Sequence, residues 1–346
     1  MTGSETDSGK GKARRRSLLI RVGLWALAFA LLWWAARDIE IASILNALRR
    51  LSLLQLVILT VVNLVVLLTL SGRWWVVLHG LGYKVNYLRL SGYRLAAFGL
   101  SYFTPGPQFG GEPLQIYMLR TRHEIPASTG TASVTLEKVI ELVGNFTFLL
   151  VGLTLITRLE FLEDQAGIGS IVMAVLLLGF PLVFLFVIAR GKRPFSTLMR
   201  RMPEFFRNRI PAWNRWQSGT HAVEVEMTIF FREKPVELIA AMAFSLLTWI
   251  LLVAEYWLML RFLDLRLPID ETIAVLTTAR LAFLTPLPGG LGVLEAGQVF
   301  AFTRLGYSIA EGLSVGLLIR ARDIAFGLVG LSLGSVLTDR AVQERT

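Results

Sequence analysis

Six stretches of this chain, residues 18–36, 51–70, 132–156, 169–189, 236–260 and 312–337, are apolar for about the 20 residues that a helix needs to cross a hydrocarbon layer. Runs of that length exceed strands and ordinary core helices, so they constrain the fold more than any other feature. Composition agrees: of 346 residues, 54% are hydrophobic and 17% charged, against about a quarter charged in soluble domains. The chain reads as an all-α polytopic membrane protein. Its first run follows Lys10, Lys12 and Arg14 to Arg16 as a signal peptide would. The run ends on the bulky text WWAARD, without a small-residue cleavage pattern, so it is expected to remain as an anchor behind a basic cytoplasmic tail, residues 1–16. The absence of Cys excludes disulfides, thiolate metal sites and Cys nucleophiles.

Two further apolar regions, 88–119 and 271–303, are too short for two spans each and are broken by Pro and Gly. The breaks read TPGPQFGGE (Thr104 to Glu112) and TPLPGGLGVLE (Thr285 to Glu295). Pro lacks a donor and Gly favours turns, so neither stretch continues a helix. Both are read as re-entrant hairpins of two half-helices, a backbone tolerated at membrane depth where protein or a watery cavity surrounds it. The expected architecture is six full spans plus two hairpins; eight full spans would keep the same parity.

Charge sets the orientation. With both termini inside, the segments assigned to the inside carry +14 and those outside −2, the remainder of the +10 net charge lying within the spans and hairpins. Lys/Arg-rich cytoplasmic loops are the usual topological signal, so the chain is expected N-in and C-in, multi-pass in the inner membrane. The surplus is topological and does not call for a nucleic-acid partner.

The two breaks resemble each other, and each precedes a helix carrying charge in its apolar body. Glu137 follows Glu112 by 25 residues and Arg320 follows Glu295 by 25; the later texts ELVGNFTFLLVGL and FGLVGLSLG are also alike. This predicts an internal repeat of about 160–170 residues, with residues 17–160 as the first half and 161–340 as the second, 190–236 as a basic cytoplasmic loop of the second half and 341–346 as a tail. Three spans per half make the repeat inverted. Transporters built this way place substrate near the midplane where broken helices meet.

At this point the text TPGPQFGGEPLQIYMLR, then SVTLEKVIELVG, and later LTPLPGGLGVLEAG with LLIRARD resembles the lysylphosphatidylglycerol synthase transmembrane-region, or flippase-like, family. The resemblance covers about residues 20 to 338. Pro105, Gly110, Gly111 and Glu112 match the family pattern, with Glu in place of the common Asp. Gln115 stands where the family has an Arg, which leaves that Arg's phosphate contact unsupported. Pro286, Gly290, Gly292, Glu295 and Arg320 match the second pattern. The resemblance implies a lipid translocation module. Bifunctional members carry a soluble aminoacyl-transferase domain after it, and ending at Thr346 this sequence is expected to be a stand-alone member.

Ionisable side chains at membrane depth cost about 2.5–3.5 kcal/mol each on insertion scales and normally face a cavity or a partner. Glu112, Glu137, Lys138, Glu141, Glu255, Arg280, Glu295, Arg320, Arg322 and Asp323 lie at such depths. Glu137 and Glu141 share a helix face, and Arg320 and Asp323 are spaced to pair. Salt bridges that only fix packing account for Lys138, Glu141 and Asp323 as well as function does. Arg280 and Arg320 favour a phosphate, which needs cationic partners. Glu112 and Glu295 open half-helices, where they either cap the helix, or contact a cationic headgroup or take up protons during the cycle. Gly110, Gly111, Gly290 and Gly292 allow a phosphate or a neighbouring helix to approach the backbone, or simply make a turn.

In the loop 190–216, some of Phe195, Met199, Met202, Phe205 and Phe206 can share a helix face among eight Lys/Arg, which reads as an amphipathic surface segment on anionic lipid, although topogenic charge alone explains most of it. Trp33–Trp34 and Trp74–Trp75 are placed as interface anchors. His79, His123 and His221 show no metal-ligand spacing, and no nucleotide-binding or nucleophile motif is present, so neither metal nor cofactor is expected. The expected function is translocation of an anionic or aminoacylated phospholipid, or of a polyprenyl-phosphate-linked sugar, across the inner membrane. Membrane lipids would be its partners, and a second copy of the chain or an envelope-synthesis partner is compatible with the pattern. The rivals are an intramembrane enzyme using Glu112 or Glu295 as base, and a subunit of a lipid-modifying complex.

Overall fold

The computed structural model describes residues 51–104, 110–161, 164–203, 213–285 and 287–343, together with residues 49, 205 and 209. The run 18–36, Trp33–Trp34 and residues 105–109, 206 and 286 lie outside them. Regular structure among the described residues is helical throughout: α1 Leu53–Gly80, α2 Tyr87–Phe103, α3 Glu112–His123, α4 Ala127–Arg158, α5 Asp164–Ala189, α6 Pro194–Arg201, α7 Trp213–Glu233, α8 Pro235–Phe262, α9 Ile269–Ala282, α10 Val293–Arg304 and α11 Ile309–Gln343. A 3-10 turn, Pro288–Gly290, lies in the second break.

Local chemistry sets the boundaries. Ser52 and Gln55 form a capping box at the start of α1, and the Asn86 side chain accepts the Arg89 N–H, starting α2. Thr104, the last residue before Pro105, takes extended φ/ψ and ends α2, as the residue before a proline tends to. Gly111 and Gly292 are the N-caps of α3 and α10.

Four helices, Leu53–Gly80, Ala127–Arg158, Gly167–Ala189 and Pro235–Phe262, are long and apolar enough to cross a membrane. α11 has the length, at 35 residues, and carries Arg320, Arg322 and Asp323 in its body. Exposed Val172, Leu176, Phe180 and Val183 on α5, with Ile239, Leu246 and Ile250 on α8, present apolar side chains outward, as a surface facing hydrocarbon does. The hairpin regions contain helices of 17 and 12 residues, then 14 and 12. At 1.5 Å per residue they reach about 25, 18, 21 and 18 Å, each short of a hydrocarbon core about 30 Å thick.

Helices α1 to α4 and α8 to α11, taken as two units, are spaced alike along the chain. Three of the four pairs begin 182 residues apart (53 and 235, 87 and 269, 127 and 309), and the fourth, 112 and 293, is one short. α5, α6 and α7 lie between the two sets. α1 packs on α8, α2 on α11 and α4 on α9. Exchanging the units maps the first contact onto itself and the second onto the third. Glycines make these contacts close: a Cβ on Gly330 of α11 would lie 2.1 Å from the Leu95 carbonyl oxygen of α2, and one on Gly152 of α4 would lie 1.8 Å from Thr277 Oγ1 of α9. Small residues at helix contacts are the usual solution where lipid removes the hydrophobic drive for helix association.

In the basic loop, α6 is an eight-residue helix that ends at Arg201. Phe195 and Met199 therefore share a helix, while Met202 and Phe205 fall beyond it.

Candidate functional site

Arg73, seven residues from the end of α1, is buried at 1% exposure. The apolar run 51–70 ends short of it, yet both Arg73 and Arg94 lie inside helices, α1 and α2. Arg73 Nη2 donates to Glu137 Oε1 at 2.5 Å and to Glu141 Oε2 at 2.8 Å. Arg94 of α2 meets the same carboxylates at 2.7 and 3.0 Å. The two acids share a face of α4 because they are four residues apart, and they accept two guanidiniums arriving from different helices. Lys138 lies 3.0 Å from Glu141 Oε1 and 3.4 Å from Glu112 Oε1, tying the start of α3 to the same network. Three cations face three carboxylates, which is how buried charge is held without a large desolvation cost.

The second network is built on α8 and α11. Glu255 is 3% exposed, and Arg322 Nη1 donates to both of its oxygens at 2.7 Å. Arg322 Nε donates to Asp323 at 2.8 Å, and Asn63 of α1 donates its amide N–H to Glu255 at 3.2 Å. Arg320 does not pair with Asp323, which its spacing allowed. It turns to Glu295, three residues into α10, donating from Nε and, at 2.8 Å, from Nη2, with the carbonyls of Gly289 and Gly290 at 3.4 and 3.5 Å. Under the 182-residue offset Lys138 and Arg320 are equivalent, and each binds the glutamate that opens the preceding half-helix.

Between the networks lies a cavity of about 280 Å³. Nine ionisable side chains line it: Arg73, Arg94, Glu112, Glu137, Lys138, Glu141, Arg280, Arg322 and Asp323. Apolar residues of α1, α2, α4, α8 and α11, with Phe283 and Leu284 just after α9, complete the wall, as do Tyr102, Gly111, Gln115 and Trp249. Glu295, Arg320, Gly290 and Gly292 do not line it; they form the structural connection behind the second break. Gly110 donates its N–H to Glu112 Oε2 at 2.8 Å, so Glu112 closes the turn that precedes its own helix. Gly110, Gly290 and Gly292 all adopt positive φ, where L-residues are strained. At Gly111 a Cβ would come 2.2 Å from the Ala97 carbonyl oxygen, so this glycine is required for α3 to pack on α2.

Arg280 differs from the other cations. It lies over Trp249 with its guanidinium carbon 5.2 Å from the ring centroid, and its Nε is buried with no hydrogen-bond partner. Its neighbours across the cavity are already committed: Glu137 and Glu141 to Arg73 and Arg94, Glu112 to Lys138, Asp323 to Arg322. An uncommitted guanidinium on a polar cavity wall is a ready site for an anion.

Arg73, Arg94, Asn63, Tyr102 and Trp249 were not among the residues expected at the site. Continuing the first helix through SGRWWVVLHG would have placed Arg73 in the membrane with the others. Of the pair Trp74–Trp75, expected as interface anchors, Trp74 lies inside the protein. Trp74 is fully buried and donates its indole N–H to Ser133 Oγ at 3.3 Å, and Trp75 donates to the Val85 carbonyl at 3.0 Å.

Fold and site together define a multi-pass helical membrane protein with a charged cavity among its described helices. Residues 19–330 match the family described as the lysylphosphatidylglycerol synthase TM region, and the chain belongs to that family. It is similar to a UPF0104 membrane protein of Methanothermobacter thermautotrophicus, 24% identical over 320 residues, covering 90% of this chain and 92% of the relative. A UPF0104 membrane protein of Pyrococcus horikoshii is 23% identical over 342 residues, covering 93% and 96%. One of Methanocaldococcus jannaschii is 22% identical over 267 residues, covering 75% and 77%.

Proposed function

We propose that this protein carries a lipid amphiphile across the inner membrane, the headgroup passing through the cavity while the acyl chains stay in lipid. The observation that carries this reading is Arg280: a cation on the wall of a charged cavity, backed by Trp249 and unpaired with any acid among the described residues. An anionic or aminoacylated phospholipid, or a polyprenyl-phosphate-linked sugar, supplies the anion it lacks. The family name points to the same class of substrate.

The repeated units support an alternating mechanism. With both termini cytoplasmic, as the charge distribution favours, α2–α3 enters as a hairpin from the inside and α9–α10 from the outside. One unit rocking against the other would open the cavity to each face in turn, in the manner of inverted-repeat transporters. We read the chain as a carrier and not a catalyst, because a general base needs an accessible carboxylate near its substrate and the acids on this wall are held in ion pairs.

Reconstitution into liposomes with a fluorescent phosphatidylglycerol tests the reading. Protein-containing vesicles should flip the lipid, and Arg280→Ala should slow flipping roughly ten-fold or more, the loss expected when a hydrogen bond to a charged group is removed. Flip rates equal to those of protein-free vesicles would sink it.

A further inference from the structure

Tyr102 Oη and Arg280 Nε are buried side-chain polar atoms with no hydrogen-bond partner among the described residues, and both belong to residues that line this one cavity. Both are donors. A buried donor left unmet costs about 1–3 kcal/mol, so native structures rarely keep one without a reason. Two in one cavity, whose described carboxylates are engaged with other cations, mark a place where acceptor oxygens from outside the chain complete the structure.

The tyrosine is placed for this. It is the penultimate residue of α2, 4% exposed, with its ring edge-on to Phe103 at 5.2 Å and tilted against Phe98 at 5.8 Å. Gly289 of the second break closes the remaining side: a Cβ there would lie 2.8 Å from Tyr102 Cζ and 3.0 Å from its Oη. The first break thus delivers the hydroxyl, the second leaves room for it, and α9 delivers the guanidinium. Each unit contributes one donor.

We infer that Tyr102 and Arg280 together hold one phosphodiester of a lipid headgroup, the hydroxyl meeting one oxygen and the guanidinium the negative charge. This rests on the transport reading only for the source of the phosphate; binding is a separate property. One free cation among the described lining residues matches a phosphodiester, which carries a single negative charge, better than a diphosphate, and a glycolipid without phosphate offers nothing that needs the guanidinium.

Native mass spectrometry of the full chain in detergent measures this without transport, using phosphatidylglycerol, an uncharged glycosyl-diacylglycerol, a polyprenyl diphosphate and inorganic phosphate as probes. Phosphatidylglycerol should bind most tightly. Tyr102→Phe should weaken it roughly ten-fold, while thermal unfolding is unchanged or raised because a buried unmet hydroxyl has been removed. Arg280→Gln should abolish the preference for phosphatidylglycerol over the glycolipid. Equal binding of the glycolipid, tighter binding of the diphosphate, or Tyr102→Phe binding like the wild type would each overturn the assignment. Inorganic phosphate competing at the lipid's own concentration would show a site for a soluble anion and overturn the lipid part. A chain that binds as described yet does not flip lipid would refute transport and leave the phosphodiester seat standing.

Discussion

Arg73 and Glu255 occupy the same position in two helices of equal length, the twenty-first of 28 residues in α1 and in α8, and carry opposite charge. Each anchors the ion-pair network of its own side of the cavity, Arg73 with Glu137 and Glu141, Glu255 with Arg322. The two helices thus match in length while the charge at this position is reversed. α1 and α8 pack on each other, so both networks report on the same helix contact.

Removing one partner of a buried ion pair leaves the other charge desolvated, at about 3–5 kcal/mol. Arg73→Leu and Glu255→Leu should each lower the midpoint of thermal unfolding in detergent by several degrees. Combining Arg73→Glu with Glu255→Arg should not restore it, since Glu137 and Arg322 would then face like charges in separate networks. A double variant melting like the wild type would show that the pairs exchange freely and that the networks are not distinct.

The α2–α11 contact depends on absent side chains. A Cβ on Gly330 would lie 2.1 Å from the Leu95 carbonyl oxygen, and one on Gly99 2.5 Å from that of Gly327. Both obstructing atoms are backbone, so the helices must separate. Gly330→Ala should cost about 1–3 kcal/mol, the usual range for overpacking, despite the gain in helix propensity. Gly179 has nothing within 4 Å of its would-be Cβ, and Gly179→Ala should be neutral or stabilising. Comparison of the two unfolding midpoints checks this, and equal shifts would refute the packing account.

The helical segments were legible because membrane helices announce themselves by length: the runs 132–156 and 236–260 fall within α4 and α8 with a few residues to spare. The breaks were legible because Pro and Gly act locally. Partners were not. Glu137 and Glu141 could be placed on one face, yet nothing in a single sequence says that Arg73 and Arg94, 64 and 43 residues earlier than Glu137, come to meet them. Arg320 and Asp323 had ideal spacing for each other, and the tertiary contact with α10 prevailed. Tyr102 carried no signal, because an aromatic at a helix end ordinarily means packing.

Gly289 joins two of these effects. Its φ is +55°, a conformation that costs a residue bearing a side chain about 1–3 kcal/mol, and its missing Cβ leaves the space beside the Tyr102 ring. Gly289→Ala should therefore lose stability and phosphatidylglycerol binding together. Gly292→Ala has the same backbone strain, at φ +73°, and nothing within 4 Å, so it should lose stability alone. Native mass spectrometry beside thermal unfolding separates the two, and parallel losses of binding in both variants would remove Tyr102 from the explanation.

Outside the membrane core, Glu224 of α7 is 2% exposed and accepts the N–H groups of Phe195 and Ser196 at 2.8 and 3.2 Å, along with the Ser196 hydroxyl. These are unsatisfied donors of the first turn of α6, which has no side-chain cap of its own. A carboxylate supplied from another helix satisfies them and complements the positive end of the helix. Glu224→Ala should thus release α6 while leaving the cavity intact. Hydrogen exchange across 194–201 should accelerate by at least ten-fold, with α4 and α8 unchanged and lipid binding retained. Protection that persists in α6 would mean that its apolar contacts hold it, chiefly Phe195 against Phe184 of α5 at 5.8 Å, and that the Glu224 bracket is incidental.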